Sequence, residues 1–139
     1  MIKELVKDEA VLSKKCTRAT AEDEKIARDL IDTMKSIEDC ACLAANQIGE
    51  TVAMGAYLDD NEDAHVLYNP RIMMGLGAQK LTEGCLTREE PSKVTRYAKV
   101  KVSFDELVDG ELKPRKRDFM GWTGQMIQHI CDHCQGKLV

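Results

Sequence analysis

Gln128-His129-Ile130-Cys131-Asp132-His133 is the stretch whose residue types and spacing bear most directly on chemistry. His129 and His133 stand four positions apart, and four residues advance a helix by about 400°, a little over one turn. On a helix both imidazoles therefore share one face, as two ligands of a single metal ion require. Helices that hold a hydrolytic metal in this way carry a glutamate directly after the first histidine, where it serves as general base. That position here is Ile130. The stretch supplies ligands and lacks the base.

Two imidazoles make half a site, so a third ligand must come from elsewhere. The best candidate is Cys85, in Glu83-Gly84-Cys85-Leu86-Thr87. A thiolate with two imidazoles leaves one position of a tetrahedral ion for water, the layout of a catalytic site rather than a closed structural one. Such an ion polarises a carbonyl and lowers the pKa of water. A competing reading starts from Cys131 and Cys134, a C-x-x-C in the same helix. With Cys40 and Cys42 it would make an all-cysteine zinc or redox site. No thioredoxin-like strand–helix–strand pattern precedes that pair, and the histidines account for the helix better. Cys16 reads as an inert thiol and His65 as a strand histidine without a ligand role.

The elements that must position these groups follow from periodicity and punctuation. Thr20-Ala21-Glu22-Asp23 has the form of a helix N-cap with acids in the first turn. Ile26, Leu30, Met34 and Ile37 follow at helical spacing, which predicts a helix over 20–38 with an apolar core face. The chain before it reads as extended. Residues 40–49 are rich in small side chains, suited to tight helix–strand packing or to a ligand approaching backbone. Thr51–Leu58 reads as a strand, and His65–Tyr68 as a second one closed by Asn69-Pro70. Arg71–Leu81 carries Gly75 and Gly77, which predict a bend or bulge. Asp109-Gly110 is a turn signal that makes 93–104 and 111–119 an antiparallel hairpin. Trp122–Cys134 reads as a helix with Gly136 as its C-cap. Strands grouped between helices predict an α+β fold with antiparallel sheets.

Totals bound the rest. A chain of 139 residues fits one domain over 1–139. Its formal net charge of −4 gives no global reason to expect nucleic-acid binding. Lys113, Arg115, Lys116 and Arg117 form a local basic cluster, read as a solvated strand rather than an RNA contact. No signal peptide or membrane span is legible, so the expectation is a cytoplasmic protein that keeps its six cysteines as thiols or metal ligands.

Three separated segments resemble one family. Cys40-Ala41-Cys42-Leu43-Ala44-Ala45-Asn46-Gln47, Glu83-Gly84-Cys85-Leu86-Thr87 and Gln128-His129-Ile130-Cys131-Asp132-His133 are similar, in order and rough spacing, to the G-x-G-x-A-A-x-Q, E-G-C-L-S and Q-H-E-x-D-H motifs of peptide deformylases. The resemblance spans nearly the whole chain. It implies antiparallel β-sheets packed around a C-terminal metal-binding helix, with an N-terminal helix. It also implies removal of the formyl group from N-formylmethionyl peptides of nascent chains. Cys85, His129 and His133 would bind the metal, usually Fe²⁺, with Zn²⁺ or Ni²⁺ able to substitute. Gln47 and the backbone N–H of Leu86 would stabilise the oxyanion. Asp132 would orient a ligand histidine through its free ring N–H, and Glu83 and Arg96 would pair to fix the Cys85 loop.

The departures from the pattern are specific. Ile130 stands where the family has its proton-transferring glutamate, and general acid–base catalysis is typically worth about 10²–10⁴-fold. Cys40 and Cys42 replace both glycines of the first motif. Cys42 would intrude on substrate space and is a candidate extra metal ligand that would favour zinc. Gln125 puts a polar group where the family lines its methionine pocket with an apolar one, and Thr87 replaces serine. The readings are therefore a slow deformylase, a catalytically inactive relative that binds metal or peptide, and a thiol-rich metal or redox sensor on the same scaffold.

Overall fold

A computed structural model describes residues 1–139. The elements are α1 (Glu9–Leu12), α2 (Glu24–Ser36), β1 (Cys42–Ala44), β2 (Met54–Leu58), β3 (Ala64–Cys85), β4 (Arg88–Val108), β5 (Glu111–Met120) and α3 (Gly121–Cys134). All five strands form one antiparallel sheet in the order β1-β2-β3-β4-β5. No helix is long and apolar enough to cross a membrane.

The predicted first helix begins one turn late. Thr20 caps it with a reciprocal Thr20–Asp23 capping box, but Ala21–Asp23 is a 3₁₀ turn before α2 proper. The segment expected to be extended contains the short α1, capped by Asp8. Leu30 and Met34 of α2 are fully buried and pack with Leu43, Ala45, Met54, Ala56 and Tyr68. Each such burial stabilises by about 1.5–3 kcal/mol. A second cluster joins Met126, Ile127, Ile130 and Cys131 of α3 to Tyr57, Leu67, Val100 and Val102 of the sheet. Alternation along β2 explains the division, because Met54 and Ala56 face one cluster while Tyr57 faces the other. The sheet is thus covered by α2 on one side and α3 on the other, as an α+β fold requires.

Asn69-Pro70 does not close a strand. β3 runs through it, with the pairing to β4 shifting between Tyr68 and Arg71. A bulge accommodates a proline without an N–H and Asn69 at φ 52°. The other shifts fall at Ile72/Met74, just before Gly75, and at Glu83/Cys85, well past Gly77. Asp109-Gly110 turns β4 into β5 as predicted, with both residues at positive φ. Gly136 ends α3 at φ 77°, and an added Cβ there would meet Ser13 O at 2.6 Å.

Candidate metal centre

Cys85, at the end of β3, meets α3 where the two histidines project. The ligand atoms of Cys85, His129 and His133 all lie within 4.8 Å of one another. His129 Nε2 is 3.1 Å from His133 Nε2, which is 3.5 Å from Cys85 Sγ. The i, i+4 spacing does this for the imidazoles, and the β3–β4 turn brings the thiol. A thiolate and two imidazoles turned toward one point fit a divalent transition metal.

The surroundings fix these groups. Glu83 Oε1 lies 3.0 Å from His129 Nδ1, which commits that nitrogen and leaves Nε2 for a ligand role. The same carboxylate accepts from Arg96 Nε at 2.9 Å, Arg96 Nη2 at 2.8 Å and Gln125 Nε2 at 2.8 Å. Arg96 Nη1 donates to Asp132 Oδ2 at 2.7 Å. Asp132 reaches Arg96 here and no histidine ring. The carboxylate that orients a histidine is Glu83, while Asp132 holds the far side of Arg96. His133 Nδ1 is buried without a partner.

Gln47 sits on a 3₁₀ turn (Ala45–Ile48) after β1, almost fully buried. Its Oε1 accepts from the Ala44 N–H at 2.9 Å, which forces its amide N–H₂ the other way. Nε2 then donates to Cys85 Sγ at 3.3 Å and Thr87 Oγ1 at 3.2 Å. Thr87 Oγ1 is also 3.3 Å from Cys85 Sγ, a bracing role that the sequence left unassigned. Leu86 remains half exposed on the turn and lines the adjacent cavity.

Burial opposes ionisation of Cys85, but the neighbouring His129 and His133 rings and the Thr87 hydroxyl outweigh it and bring the thiol down to about 5. Burial likewise disfavours a charged His129, yet the Cys85 thiolate and the Glu83 carboxylate beside it raise it to about 9. Glu83 is held at about 2, against its own burial, by His129, Arg96 and Gln125. Both shifts favour the charged forms, thiolate at Cys85 and imidazolium at His129.

A cavity of about 470 Å³ opens beside the triad, lined by Cys42, Glu83, Leu86, Trp122, Gln125 and Met126 among others. Cys42 lines the cavity but lies outside the three-residue ligand cluster, and burial with Cys40 nearby pushes its thiol up to about 12. The structure therefore gathers three ligands, not four. Cys131 and Cys134 are buried in the α3 core cluster away from that group, with burial raising both thiols. They do not join Cys40 and Cys42 in an all-cysteine site.

Ile130 does not line the cavity. It is completely buried and packs toward Gly55 of β2, where an added Cβ would collide with its Cγ2 and lie 3.2 Å from Cγ1 and Cδ1. An isolated glycine inside a strand signals such an approach, so Gly55 was the sequence clue to where residue 130 points.

The profile of the polypeptide deformylase family matches residues 2–139. The chain belongs to the peptide deformylase family. It is 34% identical over 140 residues to the peptide deformylase of Clostridium beijerinckii, with all of both chains covered. The Dictyoglomus thermophilum deformylase is 32% identical over 143 residues, covering 100% of this chain and 91% of that one. Among solved structures, the Legionella pneumophila peptide deformylase superposes with a TM-score of 0.82 at 30% identity, covering 99% of this chain and 83% of that one. For the Thermus thermophilus deformylase the TM-score is 0.85 at 25% identity, with the same coverage. The likeness extends through the whole fold, not only the three motifs.

Proposed function

We propose that this chain is a metal-dependent deformylase-like hydrolase, acting as one domain over residues 1–139, whose reaction on N-formylmethionyl peptides is slow. The observation that carries the reading is the convergence of Cys85, His129, His133 and Gln47 Nε2 beside an open cavity, where the carboxylate that touches them, Glu83, is committed to Arg96 and Gln125. Cys85, His129 and His133 would hold the ion, Fe²⁺ by family resemblance with Zn²⁺ or Ni²⁺ able to substitute. When bound, it supplies Lewis-acid polarisation of the formyl carbonyl and acidifies water.

The chain's own residues supply the rest. Gln47 Nε2, aimed by the Ala44 N–H, would turn one N–H from Cys85 or Thr87 to the oxyanion, with the Leu86 N–H as its backbone partner. Glu83 keeps His129 in the tautomer that leaves Nε2 free. Ile130 can neither accept nor return a proton. Glu83 and Asp132 cannot replace it, since both are ion-paired to Arg96 and Glu83 is held at about 2. Proton transfer falls to solvent. In the cavity Cys42 takes up substrate space, and Gln125 lowers selectivity for a methionine side chain. The partner is the formylated end of a nascent peptide, in the cytoplasm.

The complete burial of Ile130 also favours a second reading, a metal- and peptide-binding protein without hydrolysis. Hydrolysis of formyl-Met-Ala by the Fe²⁺ form, compared with Ile130→Glu and Ile130→Gln, separates the two. The Glu variant, whose longer charged side chain has to leave the Gly55 contact for the cavity, should be faster than wild type by up to about 10²–10⁴-fold, the worth of a general base. The Gln variant, equal in shape but not a base, should gain nothing. Wild-type turnover that Glu fails to improve would overturn the assignment of Ile130. Metal and peptide binding with no turnover in any variant would favour the second reading.

A further inference from the structure

The basic cluster Lys113-Arg115-Lys116-Arg117 is divided by the sheet. Arg115 and Arg117 both pair with Glu106, and Arg117 lies 5.8 Å over the Phe104 ring. Lys116 points to the opposite face, because successive strand residues alternate. There it stands in a cross-strand row with Ser103 and Arg71, each directly opposite the next. Directly paired residues share a face. Two cations thus flank one small hydroxyl, with their Cα atoms about 10 Å apart across two strand spacings. Neither Arg71 nor Lys116 has a carboxylate within 4.0 Å, and the Ser103 hydroxyl has no partner in the chain.

The row floors a cleft of about 600 Å³ that Arg18, Asn69, Asp105 and Arg115 also line. Arg18 is held there by the bulge at Asn69. The Asn69 side chain accepts from the Ala19 N–H at 2.7 Å, donates to Ala19 O at 2.9 Å and reaches Asp105 Oδ2 at 3.1 Å. Asp105 takes Arg18 Nη2 at 3.3 Å. The cleft's single carboxylate is therefore already engaged by Arg18, which leaves Arg71 and Lys116 as its two unpaired cations.

We propose that this cleft binds a phosphate group, with the Arg71 guanidinium and Lys116 ammonium flanking it and the Ser103 hydroxyl beneath. Guanidinium forks match phosphate oxygens, and a central hydroxyl adds a donor that a flat lysine patch lacks. The phosphate comes either from a small nucleotide or free ion, or from a nucleic-acid backbone. Arg71 and Lys116 are both exposed, so binding must weaken steeply with salt.

The test is an NMR titration of the intact chain with inorganic phosphate at low salt, with chloride at matched ionic strength as reference. Saturable shifts of the Ser103 and Lys116 amides are expected. Arg71→Ala/Lys116→Ala should weaken them at least tenfold, while the charge-matched Lys99→Ala/Lys113→Ala should leave them within twofold, both at unchanged melting temperature. Shifts that do not saturate by 50 mM, or equal effects in the two double variants, would overturn the proposal. Anisotropy with a labelled 12-nucleotide RNA and with labelled AMP identifies the source. RNA binding tenfold tighter than AMP, lost in Arg71→Ala/Lys116→Ala, indicates a backbone phosphate, and equal affinities indicate a small ligand.

Discussion

Cys85 and His129 share one proton in a way that metal must undo. With the thiol down at about 5 and the imidazole up at about 9, the metal-free pair at neutral pH is thiolate plus imidazolium. A metal ion requires thiolate and neutral imidazole, so binding displaces one proton across that range. Apparent affinity should therefore rise about tenfold per pH unit between 5 and 9. Calorimetry with Zn²⁺ in two buffers of different ionisation heat should read close to one proton released at pH 7. Release of none would contradict the pairing. Cys85→Ala should abolish stoichiometric binding, as seen by metal analysis after desalting, since two imidazoles alone are half a site.

At the scale of elements, α3 and β2 are fitted to each other through Ile130 and Gly55. An added methyl at Gly55 enters the space that Ile130 fills, and overpacking of this kind costs about 1–3 kcal/mol. Ile130→Ala alone should cost about 2–5 kcal/mol by leaving a cavity. Gly55→Ala in that background should be neutral or stabilising, because the new methyl then occupies the vacated space. Urea denaturation of the four chains measures this coupling. Strict additivity would mean that the two residues do not share the space. The fit also bears on function, since the side chain that follows the first ligand histidine is part of the α3–sheet contact rather than of the cavity wall.

Across the whole molecule, the buried charges set a distinctive pH profile for the metal-free chain. Glu83 is depressed, so its contribution is present above its ordinary 4.5 and lost as pH falls through about 2. Cys85 is depressed too, its contribution growing from about 5 upward until its ordinary 9.0. His129 is raised, and its contribution is full below 6.5 and lost as pH rises through about 9. Between 6.5 and 9 the gain from Cys85 and the loss from His129 cancel, so the pair adds a net rise only from 5 to 6.5. Denaturant titrations of chelator-treated protein should show stability climbing from pH 2 to 4.5 and again from 5 to 6.5, then levelling. Cys85→Ala should remove the second climb and leave the first.

Much of this was legible in the residues. Periodicity located α2 and α3, Asp109-Gly110 fixed the β4–β5 hairpin, and four-residue spacing put His129 and His133 on one face, because each depends only on local geometry. Motif order singled out Cys85 and Gln47. What needed the fold were the partners across elements. Asp132 lies next to His133 in sequence, yet a helix turns adjacent residues about 100° apart, and Glu83 from β3 reaches the His129 ring instead. Ile130 announced a missing base, but only the approach of β2 decided that its side chain belongs to the core. One basic cluster became two faces, because register with Ser103 and Phe104, fixed by strand pairing, decides which cations meet carboxylates and which stand free.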